Sequence, residues 1–542
     1  MLINDHTRIL LQLLSLLFPI CSNRCNFYTA GIPQRANEPW SVILCKFADT
    51  ARYEPQTREW YQKWMIGSSS DSVAQYFINV SNGIYTITDT KVFGWMTLPW
   101  TVKQVRLMTL MDKTLWNKEK SSSPFFVKAK QLCVKLATRR TKLNKKKITI
   151  LNMEHGAMYG NEDGVLITPR LSFNSVLTHE MVHSFHIGHS YSDRKIVIFP
   201  FAHMGEYDDH YDLMSTANAW MYMSRYGLSG PGLNGPHLDY LGWLPSNRIL
   251  YFGRDGRSSS TIRLSSLSVP HARSNDWLLV MVPFDKNDPA NVFTLEFRTP
   301  VNYDSGIRQE AVVIHKINRK GTNYYSTIVT HSKDYDEMMA GTEWVHFLEQ
   351  YSPKTYPVIK IRVERIDRQR QIAVLQINST FNPVKNCFSN EILHRSTEIQ
   401  KHLISSIGEM SYSHTPNETY TEEESAKILR HEQNGFFKNL VTFGMNACLD
   451  GYVWRMIDPY DYVCVTKNRQ QQIQKQRKIR NRRGICREPL MLRKAFPNDI
   501  ACVTQEEFMI TQKENAESHK NMKYHSFFNG EEPLYLNPDG CC

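Results

Sequence analysis

The chain has no apolar run of the roughly 18 residues that a membrane-spanning helix needs. Its longest, residues 9–20 behind Arg8, is too short to cross a bilayer and has the shape of a secretory signal core. Residues 1–22 are therefore expected to be a signal peptide, cleaved near Ser22, and the mature chain to lack a transmembrane segment. Acidic residues are the scarcer sign: 53 against 65 basic ones leave a net +12, which invites a polyanion partner. Aromatics, however, are missing from both basic runs, 139–147 and 475–483, and neither run belongs to a recognisable nucleic-acid module. Nucleic acid is excluded on that ground. The runs read as solvated faces, with weak attraction to acidic matrix or cell-surface glycans as the alternative. Eleven cysteines and the glycosylation triplets at Asn79, Asn378 and Asn417 fit a secreted, oxidising destination.

What is present is one dense motif, His179-Glu180-Met181-Val182-His183-Ser184-Phe185-His186-Ile187-Gly188-His189-Ser190. Two histidines four apart on a helix project from one face and can reach a single zinc ion. Glu180 lies beside the first, where its carboxylate can act on a metal-bound water rather than on the metal. His189 follows beyond Gly188, where the helix can break. Chance produces this arrangement in about one such chain in a thousand. His186, three residues past His183, would extend the same helical face and sit beside the metal in poor tetrahedral geometry, so His189 is the better third ligand.

The pattern resembles the metzincin signature H-E-x-x-H-x-x-G-x-x-H, with His179, His183 and His189 in the ligand places and Glu180 in the base place. Asp212-Leu213-Met214-Ser215 looks like the methionine turn of that family. Within it, the chain most resembles the gametolysin-like secreted peptidases, whose active helix ends in a similar Gly-His-Ser. The stretches 230–238, 241–244, 45–49 and 92–95 carry the likeness further, over roughly residues 40–250. His186 stands where the signature has glycine, and histidine tolerates the left-handed backbone required there at a cost of about 1 kcal/mol. The resemblance implies an α/β (α+β) catalytic domain, one Zn2+ per chain and protein or peptide substrates. It also implies Met214 as a hydrophobic floor under the metal, and Val165, Leu166 and Ile167 on an edge strand, through Thr168, that pairs with an extended peptide.

Strand and helix signals alternate up to the motif, which is the α/β pattern. Strands are expected at 40–47, 84–88, 91–95, 148–151 and 165–167. Helices are expected around Trp60, Trp64 and Met65, at 73–80 with a cap at Ser70 or Ser72, and from Pro124 with Ala129, Cys133, Leu136 and Ala137 on one face. From about residue 251 strands recur without helices, at 261–264, 277–282, 293–297, 311–317, 357–363 and 372–377, which suggests a β-sandwich over 251–380. In it His315 and Glu296 read as satisfied structural polar residues. A polar linker covers 381–443.

Beyond the linker the chain repeats. Cys448, Arg455, Pro459, Asp461, Cys464 and Thr466 recur as Cys486, Arg493, Pro497, Asp499, Cys502 and Thr504, a period of 38. Units at 444–485 and 486–525, before a tail at 526–542, are expected to be stapled by Cys448–Cys464 and Cys486–Cys502, since neither could build a core alone. No C-x-x-C or nearby histidine supports zinc in them. Thr504 and Glu507 form a capping box for the helix that follows. The partners of Cys25, Cys45, Cys133, Cys387, Cys541 and Cys542 are left open, with a disulfide preferred over a zinc-capping thiolate for Cys25. About 15 residues separate the expected cleavage from the first strand, too few for a bulky pro-domain.

A secreted zinc endopeptidase, with Glu180 as general base, is the leading expectation. A secreted binding or adhesion protein with an inactive metzincin-like scaffold is the runner-up, and a zinc hydrolase of non-peptide substrates comes third. His203 and His210 read as second-layer or surface residues. Glu206, Asp208, Asp209 and Asp212 could hold Ca2+, although loop hydrogen bonds account for them as well.

Overall fold

A computed structural model describes residues 35–112, 115, 123–154, 156, 158–161, 164–253, 257–285, 291–320, 323–331, 335–348, 358–381, 446–449, 451–476 and 485–522. The expected signal peptide, all of the linker beyond Phe381, the tail, Asn417, Cys25, Cys387, Cys541 and Cys542 lie outside these residues. No helix among the described residues is long and apolar enough to cross a membrane.

The first half is a mixed α/β layer structure. Strands β1 (Ser41–Lys46), β2 (Lys91–Thr97), β3 (Lys147–Leu151), β4 (Met158–Asn161) and β5 (Gly164–Ile167) form a five-stranded sheet in the order β2-β1-β3-β5-β4. All neighbours are parallel except the β4–β5 pair. The central strands are buried on both faces, so they read as unbroken apolar runs rather than alternating ones.

One sheet face packs against helices α1 (Arg58–Ile66) and α2 (Val73–Val80), with Tyr61, Trp64, Met65, Val73, Tyr76 and Phe77 inside. Of the two candidate caps for α2, Ser72 is the one whose side chain accepts from Gln75 N. The opposite face carries α3 (Val102–Met111) and α4 (Pro124–Arg140). Cys45 of β1 is bonded to Cys133 of α4, pinning that layer to the sheet. Helix α3 was not expected, although Thr101 and Gln104 cap it reciprocally, a signature present in the sequence.

Two expectations are corrected here. Residues 84–88 are not a strand; Thr86 makes an isolated bridge to Asn37 and the rest is turn. Asn82 and Gly83 both adopt positive φ, and the Ser81 hydroxyl accepts from Tyr85 N, so Ile84, Tyr85 and Ile87 plug the core without entering the sheet. Nor is the strand holding Val165, Leu166 and Ile167 an edge. β5 is paired with β3 on one side and β4 on the other, leaving no backbone free for a peptide. The edge is β4, whose Gly160 passes so close to the helix carrying His179 and His183 that a Cβ there would lie 2.0 Å from Glu180 O.

After residue 251 the chain forms two further sheets. One is four-stranded and antiparallel, in the order β10-β18-β17-β16, where β10 is Ser259–Ser265, β16 Glu343–Phe347, β17 Val358–Asp367 and β18 Ile372–Ser379. The other holds β11 (Leu279–Pro283), β12 (Val292–Arg298), β13 (Ala311–Lys320), β14 (Asn323–Ile328) and β15 (Glu337–Met338). Leu264, Ile361 and Leu375 from the first share one apolar cluster with Val280, Leu295 and Ile314 from the second. The larger sheet also recruits β6 (Tyr191–Ser192), parallel to β14, and β9 (Ile249–Tyr251), parallel to β11. A boundary at residue 250 is thus crossed twice by backbone pairing.

The C-terminal repeats each contain a small two-stranded ladder. The ladders pair β19 (Tyr452–Trp454) with β20 (Cys464–Thr466), and β21 (Met491–Leu492) with β22 (Cys502–Val503). Both expected disulfides, Cys448–Cys464 and Cys486–Cys502, are present. Each repeat also buries a bidentate Arg–Asp pair at matching offsets, Arg455–Asp461 and Arg493–Asp499. Of the capping box expected at Thr504, only half forms: Thr504 accepts from Glu507 N, but the Glu507 carboxylate is taken by both terminal nitrogens of Arg469 at 2.8 and 2.6 Å. A charged bidentate pair outcompetes a bond to one backbone N–H.

Candidate metal centre

The site grows from helix α5 (Asn174–His183), whose residues 174–182 are all buried. The helix ends at His183, because His186 turns the chain with φ 62°. Gly188 is not among the positive-φ glycines, and the turn is made by His186, as its place in the motif led one to expect. Beyond that turn His189 comes back toward the helix. One ring nitrogen from each of His179, His183 and His189 lies within 4.8 Å of the others, and among the described residues this is the group of histidine, cysteine and carboxylate atoms placed to hold a metal ion.

Each imidazole is oriented from behind through Nδ1. His179 faces the Leu213 carbonyl at 3.0 Å, His183 the Ile187 carbonyl at 2.8 Å and His189 the Glu206 carboxylate at 2.6 Å. That leaves Nε2 for the shared position, where those of His179 and His183 stand 3.0 Å apart. Burial pushes the pKa of His179 down to about 3, with His189 adding to it, and drives that of His183 well below the usual range. Both are therefore neutral, the ligand form, at physiological pH.

Glu180 shares the helix but not the cluster. Both its carboxylate oxygens are buried without a hydrogen-bond partner, and burial raises its pKa to about 8. Buried carboxylates are ordinarily paired, so an orphaned one next in sequence to His179 singles Glu180 out as a candidate functional group. Met214 is fully buried in the 3-10 turn Leu213–Ser215, in the same apolar cluster as Leu177 and Met181 of α5. The turn is anchored on both sides. Leu213 O holds His179, while Asp212 accepts from Asn234 N and pairs with His237 at 2.7 Å.

The acidic residues once available for calcium are engaged by protein groups. Glu206 takes His189, and Asp208 takes Ser192, Arg194 and Asn218. Asp209 takes His315, Asn234 and Tyr211 N, and Asp212 takes His237. Such donors leave no set of free carboxylates for a cation. His315 and Glu296 are fully buried, with His315 2.9 Å from Asp209 and 3.6 Å from Glu296. Burial alone would lower the His315 pKa, but the two carboxylates outweigh it and raise it. His203 is exposed, giving its N–H to Glu206, and His210 stacks on Trp220.

Sequence reasoning missed Tyr207, whose ring lies 4.1 Å from that of His189, and no local pattern announces it. Glu206 is hydrogen-bonded within its loop, as one of its two sequence readings had it, but nothing in the sequence pointed to His189 as its partner. No family model matches the chain, and no curated protein matches it. The three-histidine cluster therefore has to be read from its own geometry.

Proposed function

We propose that the chain is a secreted, zinc-dependent endopeptidase with a metzincin-like catalytic domain, a β-sandwich behind it and two disulfide-stapled C-terminal repeats. The observation that carries this reading is the convergence of three imidazoles, next in sequence to a buried carboxylate with no hydrogen-bond partner. The donor set suits zinc: three nitrogens, each with its second nitrogen engaged, and a fourth position open. Zinc held there would supply Lewis acidity, acidifying a water and polarising a peptide carbonyl.

The chain's own groups do the rest. Burial raises the proton affinity of the Glu180 carboxylate, so in its ionised form it can take a proton from the water and return it to the departing amine nitrogen. Leu213 O, Ile187 O and Glu206 fix the imidazole planes, which removes reorganisation from the reaction. Met214 supports the helix that carries the ligands, from within the shared core.

The test is metal analysis together with cleavage of gelatin. The expected result is one zinc per chain and hydrolysis abolished by chelator. Glu180→Ala should keep zinc and fold but lose turnover by several orders of magnitude, because the base goes and no ligand does. Turnover near wild type in that variant would sink the assignment. Zinc binding without any hydrolysis by the unaltered chain would favour an inactive binding scaffold instead.

A further inference from the structure

We infer that Glu206 is a positioning residue of the metal centre, fixing the His189 imidazole as the tautomer protonated at Nδ1, with Nε2 turned toward the metal position. The inference rests on His189 being a ligand, as proposed above. An ionised carboxylate has no proton to give, so the 2.6 Å contact places the hydrogen on His189 Nδ1. The other carboxylate oxygen accepts from His203 N at 2.7 Å, and the side chain is 2% exposed, so it has little freedom to rotate away.

The backbone that aims Glu206 is built for it. Gly205 and Tyr207 flank it with φ 77° and 62°, both left-handed. A Cβ on Gly205 would lie 2.2 Å from the Ser192 carbonyl oxygen, so only glycine fits. Ser192 N donates to Gly205 O at 2.8 Å and Tyr207 N to Ser190 O at 3.1 Å, strapping 205–207 onto the segment that follows His189. The strap puts the Glu206 carboxylate on the edge of the imidazole and the Tyr207 ring 4.1 Å from its centre. His179 and His183 are oriented by backbone carbonyls that no substitution removes. Of the three Nδ1 contacts described above, that of His189 is made to a side chain.

The experiment titrates the metal-free full-length chain with zinc against a competing chelator, for the wild type, Glu206→Gln, Glu206→Ala and His189→Ala. Far-ultraviolet circular dichroism and thermal unfolding of the metal-free proteins run alongside. Glu206→Ala should weaken zinc binding about 10- to 100-fold with an unchanged spectrum. Glu206→Gln, whose single amide oxygen can accept from His189 Nδ1 only by turning its NH2 toward His203 N, should lose less affinity than Glu206→Ala. A merely structural role would lower the unfolding temperature and leave affinity untouched. Wild-type affinity in His189→Ala overturns the ligand assignment itself. Loss there, with wild-type affinity in Glu206→Ala, overturns this inference alone. Should Glu206→Ala not fold, nitrogen-15 NMR of the histidine-labelled metal-free chain decides: an Nδ1–H tautomer at His189 upholds the inference, and an Nε2–H tautomer overturns it.

Discussion

His186 carries the sharpest conflict between local preference and site geometry. A left-handed backbone costs a non-glycine residue about 1–2 kcal/mol, and glycine returns about 0.5–1 kcal/mol of that through its own flexibility in the unfolded chain. His186→Gly is therefore expected to keep zinc and activity and to shift stability by less than about 1 kcal/mol, read by urea unfolding of the metal-free protein. His186→Val should be clearly destabilised, because a β-branched residue is a true outlier at φ 62°. If zinc were instead lost in His186→Gly and retained in His189→Ala, the ligand set would have to be redrawn. That His186 makes the turn could be foreseen from its place in the motif. That Gly188 does not could not be, since either residue is able to bend the chain.

At the level of elements, the strands and helices with dense apolar patterning were readable and the sparse ones were not. β4 is four residues, Met158-Tyr159-Gly160-Asn161, with no alternation to mark it, yet it displaces β5 from the edge of the sheet. The repeats were legible for the opposite reason, because their cysteines recur at one fixed offset. Each bond links residues 16 apart in sequence, and a loop of about that size should be worth about 3 kcal/mol on the chain-entropy model. Replacing Cys486 and Cys502 together by serine should therefore lower the stability of the second repeat by that order, measured by hydrogen exchange at β21 and β22. Non-reducing peptide mapping should recover Cys45–Cys133, Cys448–Cys464 and Cys486–Cys502, and a Cys448–Cys486 peptide would contradict the fold.

Across the whole molecule the parts expected to be separate domains are interlocked. β6 and β9 belong by sequence to the first region and by hydrogen bonding to the sheet of the second. Asp209, a few residues before the 3-10 turn Leu213–Ser215, is held by His315 of β13. The first repeat is bound to the body as well: Tyr462 Oη donates to Leu244 O at 2.6 Å and Ser246 N to Pro459 O at 2.9 Å. A chain ending at residue 250 is expected to unfold without a cooperative transition, because it strands β6, β9 and a buried carboxylate; calorimetry of that fragment checks this. His315→Ala in the full chain should cost about 3 kcal/mol, the penalty for leaving the buried Asp209 carboxylate with only Asn234 and Tyr211 N as partners. Wild-type stability in that variant would mean that the His315–Asp209 contact contributes nothing to joining the two regions.

The sequence by itself determined the ligand helix, the identity of the three histidines and the lone glutamate, and the disulfides of the two repeats. These depend on spacing along one helix or on a repeated offset, and both are local. Only the tertiary structure decided which strand is the edge, which carboxylate faces His189, and that Cys45 bonds Cys133. The last two bring together residues 17 and 88 positions apart, and the first turns on the short β4–β5 pair, which no alternation marks. No periodicity encodes a contact of that range; it follows from how the layers pack.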